Sequence, residues 1–313
     1  MTGSAIDTAL PADNDLLPPA MLARIPPEII DPPSRRTRAE YIAGLDPRRD
    51  CQEIGFLLGC LEFPWDTTRA LELALLRTFG IAKGTPVLTA TGELIHRSQK
   101  RYDDTALILA EILENGYDHP RGRAALKRMN RQHHRYPIPN DEYVYTLSTF
   151  VLEPVRWNAR FGWRRITERE RHATYFLWRE IGLRMGIHHI PPSYEALEAY
   201  NRAFEREHFR YSDDNHRLAV TSRDMMLGWL LPRRLHPLGA HFIHALLDRP
   251  MLDAVGLPPA PRAVRRLAVG GLRLRARVLA KLPPRRRPYL ATRVRRRSYP
   301  EGYRLEGLGA DRG

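Results

Sequence analysis

Lys100-Arg-Tyr-Asp-Asp-Thr-Ala-Leu-Ile-Leu-Ala-Glu-Ile-Leu113 and Arg123-Ala-Ala-Leu-Lys-Arg-Met-Asn-Arg-Gln-His-His-Arg-Tyr136 set the architecture of this chain. In the first, Arg101 and Thr105 are four apart, and Ile108 and Ile112 continue their row along one helical face. In the second, Leu126, Met129, His133 and Tyr136 form an apolar stripe with a histidine inside it. His134 lies about 100° further round and leans toward the basic side. An imidazole in an apolar wall, with a guanidinium and a hydroxyl on another buried helix, suits a haem pocket. The iron takes a neutral imidazole from one side, and polar donors handle a ligand on the other. Spacing alone leaves ordinary readings open. His133 could be a satisfied core residue, Asp103 or Asp104 could neutralise Arg101, and Thr105 could bond its own upstream carbonyl. No Cys-x-x-Cys-His attachment site occurs, so any haem would be held non-covalently.

The remaining punctuation is helical too. Helices are expected at about 50–62, 66–79, 102–115, 121–135, 140–160, 167–186, 193–206, 212–229, 236–248 and 262–281. Thr167-Glu-Arg-Glu170 is close to a capping box, and Ser193 starts a helix after a Pro pair. Alternating β-branched runs are scarce, so the fold class is all-α. Residues 1–35, with Pro18-Pro19, Pro26-Pro27 and Pro32-Pro33, read as an extended arm ahead of a helical core over 36–253 and a basic segment over 254–313.

At 313 residues and 43% hydrophobic content, the chain can bury a large core and is not wholly disordered. No apolar run reaches the roughly 18 residues of a spanning helix, and no secretory leader is read at the N-terminus. Cys51 and Cys60 are nine apart, roughly 13 Å along a helix, too far to pair. These features fit a reduced, cytoplasmic location. Between Ala254 and Pro300 there are 14 Arg or Lys and no acid, equal to the whole formal charge of +14. Leu267–Leu282 can form a basic amphipathic helix, so residues 262–297 suit peripheral attachment to an anionic membrane surface. A solvated or intramolecular basic face competes equally. Nucleic acid is not expected, because only Tyr289 and Tyr299 interleave the arginines.

Other metal constellations are weaker. Glu93-x-x-His96 and Glu205-x-x-His208 have the spacing of di-iron bundles, which makes a non-haem di-iron oxygenase the rival reading. His241, His244 and Asp248 share a helical face that could bind zinc, and His188-His189 reads as a loop. No phosphate loop or nucleophile elbow appears.

The string Arg128-Met-Asn-Arg-Gln-His133-His-Arg-Tyr136 resembles the Arg-Met-Asn-x-x-His-x-x-Tyr segment of the MpaB-type oxygenases, relatives of the latex clearing (rubber oxygenase) proteins. Further matches are Glu62-Phe-Pro-Trp-Asp66, Arg77-Thr-Phe79, Lys100–Thr105, Asn140-Asp141, Tyr145–Phe150, Glu153–Trp157, Phe161-Gly-Trp163, Glu207–Tyr211 and Thr221–Asp224. The resemblance runs from about Leu45 to the C-terminus. It implies a globin-like helical core binding haem b, with His133 as the axial iron ligand and Arg101 and Thr105 on the distal side, where dioxygen binds. The implied reaction is oxidative cleavage of a carbon–carbon double bond in a hydrophobic prenyl or isoprenoid substrate; a haem protein without turnover is the alternative. The family's distal Lys is Asp104 here, so its gating scheme does not transfer. Glu93 and Asp104 are base candidates by proximity only, and Arg131, Arg135 and Arg223 are candidate propionate partners.

Overall fold

Helix starts follow local chemistry. In the computed structural model, which describes residues 18–309, Ser34, Thr167, Ser193, Ser212 and Asp248 each accept a backbone N–H at a helix start. Thr167 and Glu170 complete a reciprocal capping box. The described helices are α1 (Pro27–Ile30), α2 (Arg35–Gly44), α3 (Cys51–Phe56), α4 (Pro64–Thr78), α5 (Thr85–Ala90), α6 (Glu93–His96), α7 (Ser98–Asn115) and α8 (Pro120–His133). They continue with α9 (Asn140–Phe161), α10 (Glu168–Arg184), α11 (Tyr194–His208), α12 (Asp213–Leu227), α13 (His236–His244), α14 (Arg249–Ala254) and α15 (Arg262–Lys281). Two isolated bridges, Ile81 with Phe209 and Arg296 with Tyr299, are the only strand-type pairing among the described residues. The protein is all-α.

Several expectations change. The helix expected at 50–62 is α only to Phe56 and then widens into a π-helical turn, Leu57–Glu62, in which Phe63 N–H bonds Leu58 O. The one expected at 236–248 ends at His244, because Asp248 caps a new helix instead of extending the old one. Of the arm expected at 1–35, residues 1–17 lie outside the described residues. The rest is not extended: a 3₁₀ turn, Ala20–Arg24, and α1 bury Met21, Ile25 and Ile29 in the core. Glu93 and His96 lie on the one-turn α6.

α7 and α8 form a tight antiparallel hairpin. Gly116 ends α7 at φ +86°, and a Cβ on Gly122 would meet Gly116 O at 1.9 Å, so only glycine lets the helices close this far. Around the hairpin, buried ion pairs tie distant elements. Arg38 bonds Glu62, which also holds Arg164. Arg77 bridges Glu205 and Asp248, while Asp66 accepts Trp157 Nε1 and Arg275. Stripping one partner from such a pair costs about 3–5 kcal/mol, so they are scaffold.

The basic segment at 254–313 has two behaviours. α15 lies on the surface and buries only Ala276. Residues 282–309 then return as a strap across α7, burying Thr292, Tyr303, Leu305 and Leu308. No described helix is long and apolar enough to cross a membrane.

Candidate haem cavity

The apolar faces of α4, α7, α8, α9 and α10 do not close on one another. They leave a cavity of about 640 Å³ among Leu75, Ile108, Ile112, Met129, Leu147, Phe150 and Leu177. That volume falls in the range of roughly 300–1,000 Å³ of ligand-binding cavities. The wall is interrupted where backbone geometry is irregular. Gly59 and Cys60 of the π-helical turn line it, as does Pro154, which breaks the hydrogen-bond ladder inside α9.

His133, Arg101 and Thr105 all line this cavity, so the structure brings together the three residues singled out from the sequence. His133 Nδ1 lies 2.9 Å from Met129 O. A carbonyl can only accept, so Nδ1 carries the proton and Nε2 keeps its lone pair. No hydrogen bond engages Nε2 among the described residues. Burial, reinforced by the charge of Arg101, pushes the His133 pKa below its ordinary value, keeping the ring neutral and able to ligate. Tyr143 flanks it, with ring centroids 5.9 Å apart.

Arg101 donates from Nη1 to Thr105 Oγ1 at 3.2 Å, and that hydroxyl donates to Arg101 O at 2.9 Å. Thr105 therefore does bond its upstream carbonyl, and in doing so it orients the guanidinium. Neither neighbouring aspartate neutralises Arg101. Asp103 accepts from Ser298 and Gln99, and Asp104 from Lys100 and Tyr299. Burial lowers the Arg101 pKa, opposed by the charge of Asp104. A guanidinium stays charged nonetheless, so Arg101 presents a cation with no carboxylate within ion-pair distance among the described residues.

Four carboxylates line the cavity: Glu72, Glu93, Glu114 and Glu142. Glu72 is held by Arg69 and Tyr102, Glu93 by Arg97, and Glu114 by Thr292. Burial raises the pKa of Glu72 and Glu142, and pushes Glu114 up to about 7. Glu142 is buried with no hydrogen bond to its carboxylate oxygens among the described residues. Asp104 is off the wall. Glu142 and Glu114 escaped sequence reasoning because their neighbours, Gly84 and Thr292, come from remote segments.

The propionate partners suggested by sequence are not in the wall. Arg131 and Arg135 are exposed, and Arg223 pairs with Asp224 beside a separate cleft with His236, His241 and His244. Arg296 of the strap lines the cavity instead.

Other metal arrangements do not assemble. Glu205 is spent on Arg77, His208 packs on Phe204, and Asp248 caps α14 and pairs with Arg77. Among the described residues no three His, Cys, Asp or Glu side chains converge as metal ligands. A porphyrin asks less: one accessible imidazole in a large apolar cavity with cations for its acid groups. The residues present fit that group.

The described residues form an all-helical protein around a large, mostly apolar cavity. Comparison with known proteins narrows the class. The family described as ER-bound oxygenase mpaB/B′/rubber oxygenase, catalytic domain, matches residues 81–280, and the chain belongs to this family. It is 30% identical over 206 residues to an ER-bound oxygenase mpaB′ of Penicillium brevicompactum, covering 60% of this chain and 48% of that one. An ER-bound oxygenase mpaB of Penicillium roqueforti (strain FM164) is also 30% identical over 206 residues, covering 60% and 69% respectively. The match thus spans about half the length of the first relative.

Proposed function

We propose that this chain is a haem b-dependent oxygenase that cleaves a carbon–carbon double bond in a prenyl or other isoprenoid-type chain with dioxygen. The observation that carries the reading is His133, a residue of the cavity wall whose Nδ1 is committed to Met129 O while Nε2 has no hydrogen bond among the described residues. Bound haem supplies dioxygen activation. The protein does the rest. His133 of α8 would hold the cofactor, in the one tautomer its backbone bond allows. Arg101, steadied by Thr105, would offer positive charge and N–H donors to an anionic group inside the cavity. Thr105 thereby acts as a positioning residue. Leu75, Phe150 and Leu177 bind the hydrocarbon and exclude water. Glu142, uncharged more readily than an ordinary glutamate, is the carboxylate free to exchange a proton with substrate.

Polyprenyl substrate incubated with haem-loaded protein should yield aldehyde or ketone fragments under oxygen and none under argon. Stable haem loading with no product from any isoprenoid would favour a carrier without turnover. Among the described residues no cluster of carboxylates converges to favour the di-iron reading.

A peripheral site on an anionic membrane, on the cytoplasmic side, suits the same substrate. Leu267, Leu274 and Val278 of α15 are exposed among arginines, close to Leu238 and Phe242 of α13, also exposed. Sedimentation with anionic but not neutral vesicles is expected; sedimentation with neither removes the membrane role.

A further inference from the structure

We propose that Arg296, carried into the cavity by the C-terminal strap, is the counter-cation for a propionate of the bound porphyrin. The assignment rests on the haem reading above. Arg296 lies beyond the family match at residues 81–280, and it is the strap's one cationic side chain in the cavity wall.

Three observations single it out. The first is an unmet charge: no Asp or Glu lies within ion-pair distance of Arg296 among the described residues, although Glu72 is near enough to share Tyr102 as a neighbour. Glu72 is already held by Arg69 at 2.6 Å and by Tyr102 at 2.8 Å. The second is unmet hydrogen bonding. Arg296 Nη2 donates to Ala291 O at 3.2 Å, but Nε is buried with no partner. An unpaired guanidinium beside an apolar cavity is costly unless an anion completes it. A carboxylate matches its planar fork of donors better than any other small anion on a porphyrin.

The third is rigidity. Ser298 bonds Asp103 and Tyr299 bonds Asp104, and Arg296 is paired to Tyr299 through a backbone bridge. The backbone that carries the guanidinium is thus anchored before a ligand arrives, which reduces the ordering cost of binding. Of the other cavity-wall cations, Lys83 is paired with Asp141 and Arg101 is turned to Thr105.

The test uses iron protoporphyrin IX and its dimethyl ester, which differ only in the propionate charges. Each is titrated by Soret absorbance into the full-length protein and its Arg296→Gln, Arg296→Lys and Arg295→Gln variants. Arg295 is the exposed neighbour and serves as control. Arg296→Gln should weaken the free acid by about ten- to a hundredfold, the worth of one charge-assisted hydrogen bond, and the ester by less than about twofold. Arg296→Lys should fall between, and Arg295→Gln should match wild type. Equal weakening of acid and ester, or weakening of neither, overturns the assignment while leaving the haem reading intact. A wild-type protein that binds neither porphyrin overturns both.

Discussion

α15 and the strap that follows it come from one basic stretch, yet they meet the core in opposite ways. α15 carries six arginines and buries a single alanine. One of its arginines, Arg275, reaches inward to Asp66 and stacks on Trp65 at 3.8 Å. The strap spends hydroxyls instead of charges. Ser298, Tyr299, Tyr303 and Thr292 meet four buried carboxylates of α7, namely Asp103, Asp104, Glu111 and Glu114. Charge density therefore marks the segment but does not say where it lies. A buried carboxylate row needs donors that carry no large desolvation cost of their own, and hydroxyls supply them.

That contrast can be broken at several points. Glu111 is fully buried under Arg121 and Tyr303. Glu111→Ala should destabilise the protein by about 3 kcal/mol in urea unfolding, since it strands Arg121, Tyr303 and Asn115, whose Nδ2 donates to the same carboxylate. Tyr303→Phe removes one hydroxyl to a buried carboxylate, so about 1–3 kcal/mol is expected in the same assay.

Glu114 sharpens the comparison through pH. Its pKa is raised from 4.5 to about 7, so its contribution to stability is full below about 4.5 and is lost as pH rises through about 7. Wild type should lose roughly 3 kcal/mol across that window from this group, and Glu114→Gln should flatten the slope. An unchanged slope would mean that the carboxyl is not held dry under Thr292. On α15, by contrast, Leu274→Ser should change stability by less than about 0.5 kcal/mol while weakening any vesicle binding.

The sequence made the hairpin legible because its signals are local. The Arg101–Thr105 spacing and the stripe through His133 depend only on helix periodicity, and both lie where that period puts them. Many residues that carry the family resemblance proved to be scaffold. Glu62, Asp66 and Arg77 hold ion pairs and hydrogen bonds outside the cavity wall, which no spacing rule distinguishes from catalytic charges. Arg296, Glu114 and Glu142 were illegible for a different reason. Each owes its role to a partner, or to the lack of one, set by chain returning from far away. The histidine-rich face of α13 taught the converse: His244 is buried with Nδ1 unpartnered, and burial and Arg223 push its pKa down to about 4, yet its cleft lies apart from the apolar cavity.

The central claim is that the His133 imidazole grips a porphyrin iron. The most direct measurement is the absorption spectrum of purified protein reconstituted with haem, recorded beside His133→Ala and His134→Ala. Wild type and His134→Ala should each show a Soret band, and His133→Ala a displaced or lost band that exogenous imidazole restores. A wild-type spectrum preserved in His133→Ala, or lost only in His134→Ala, would contradict it.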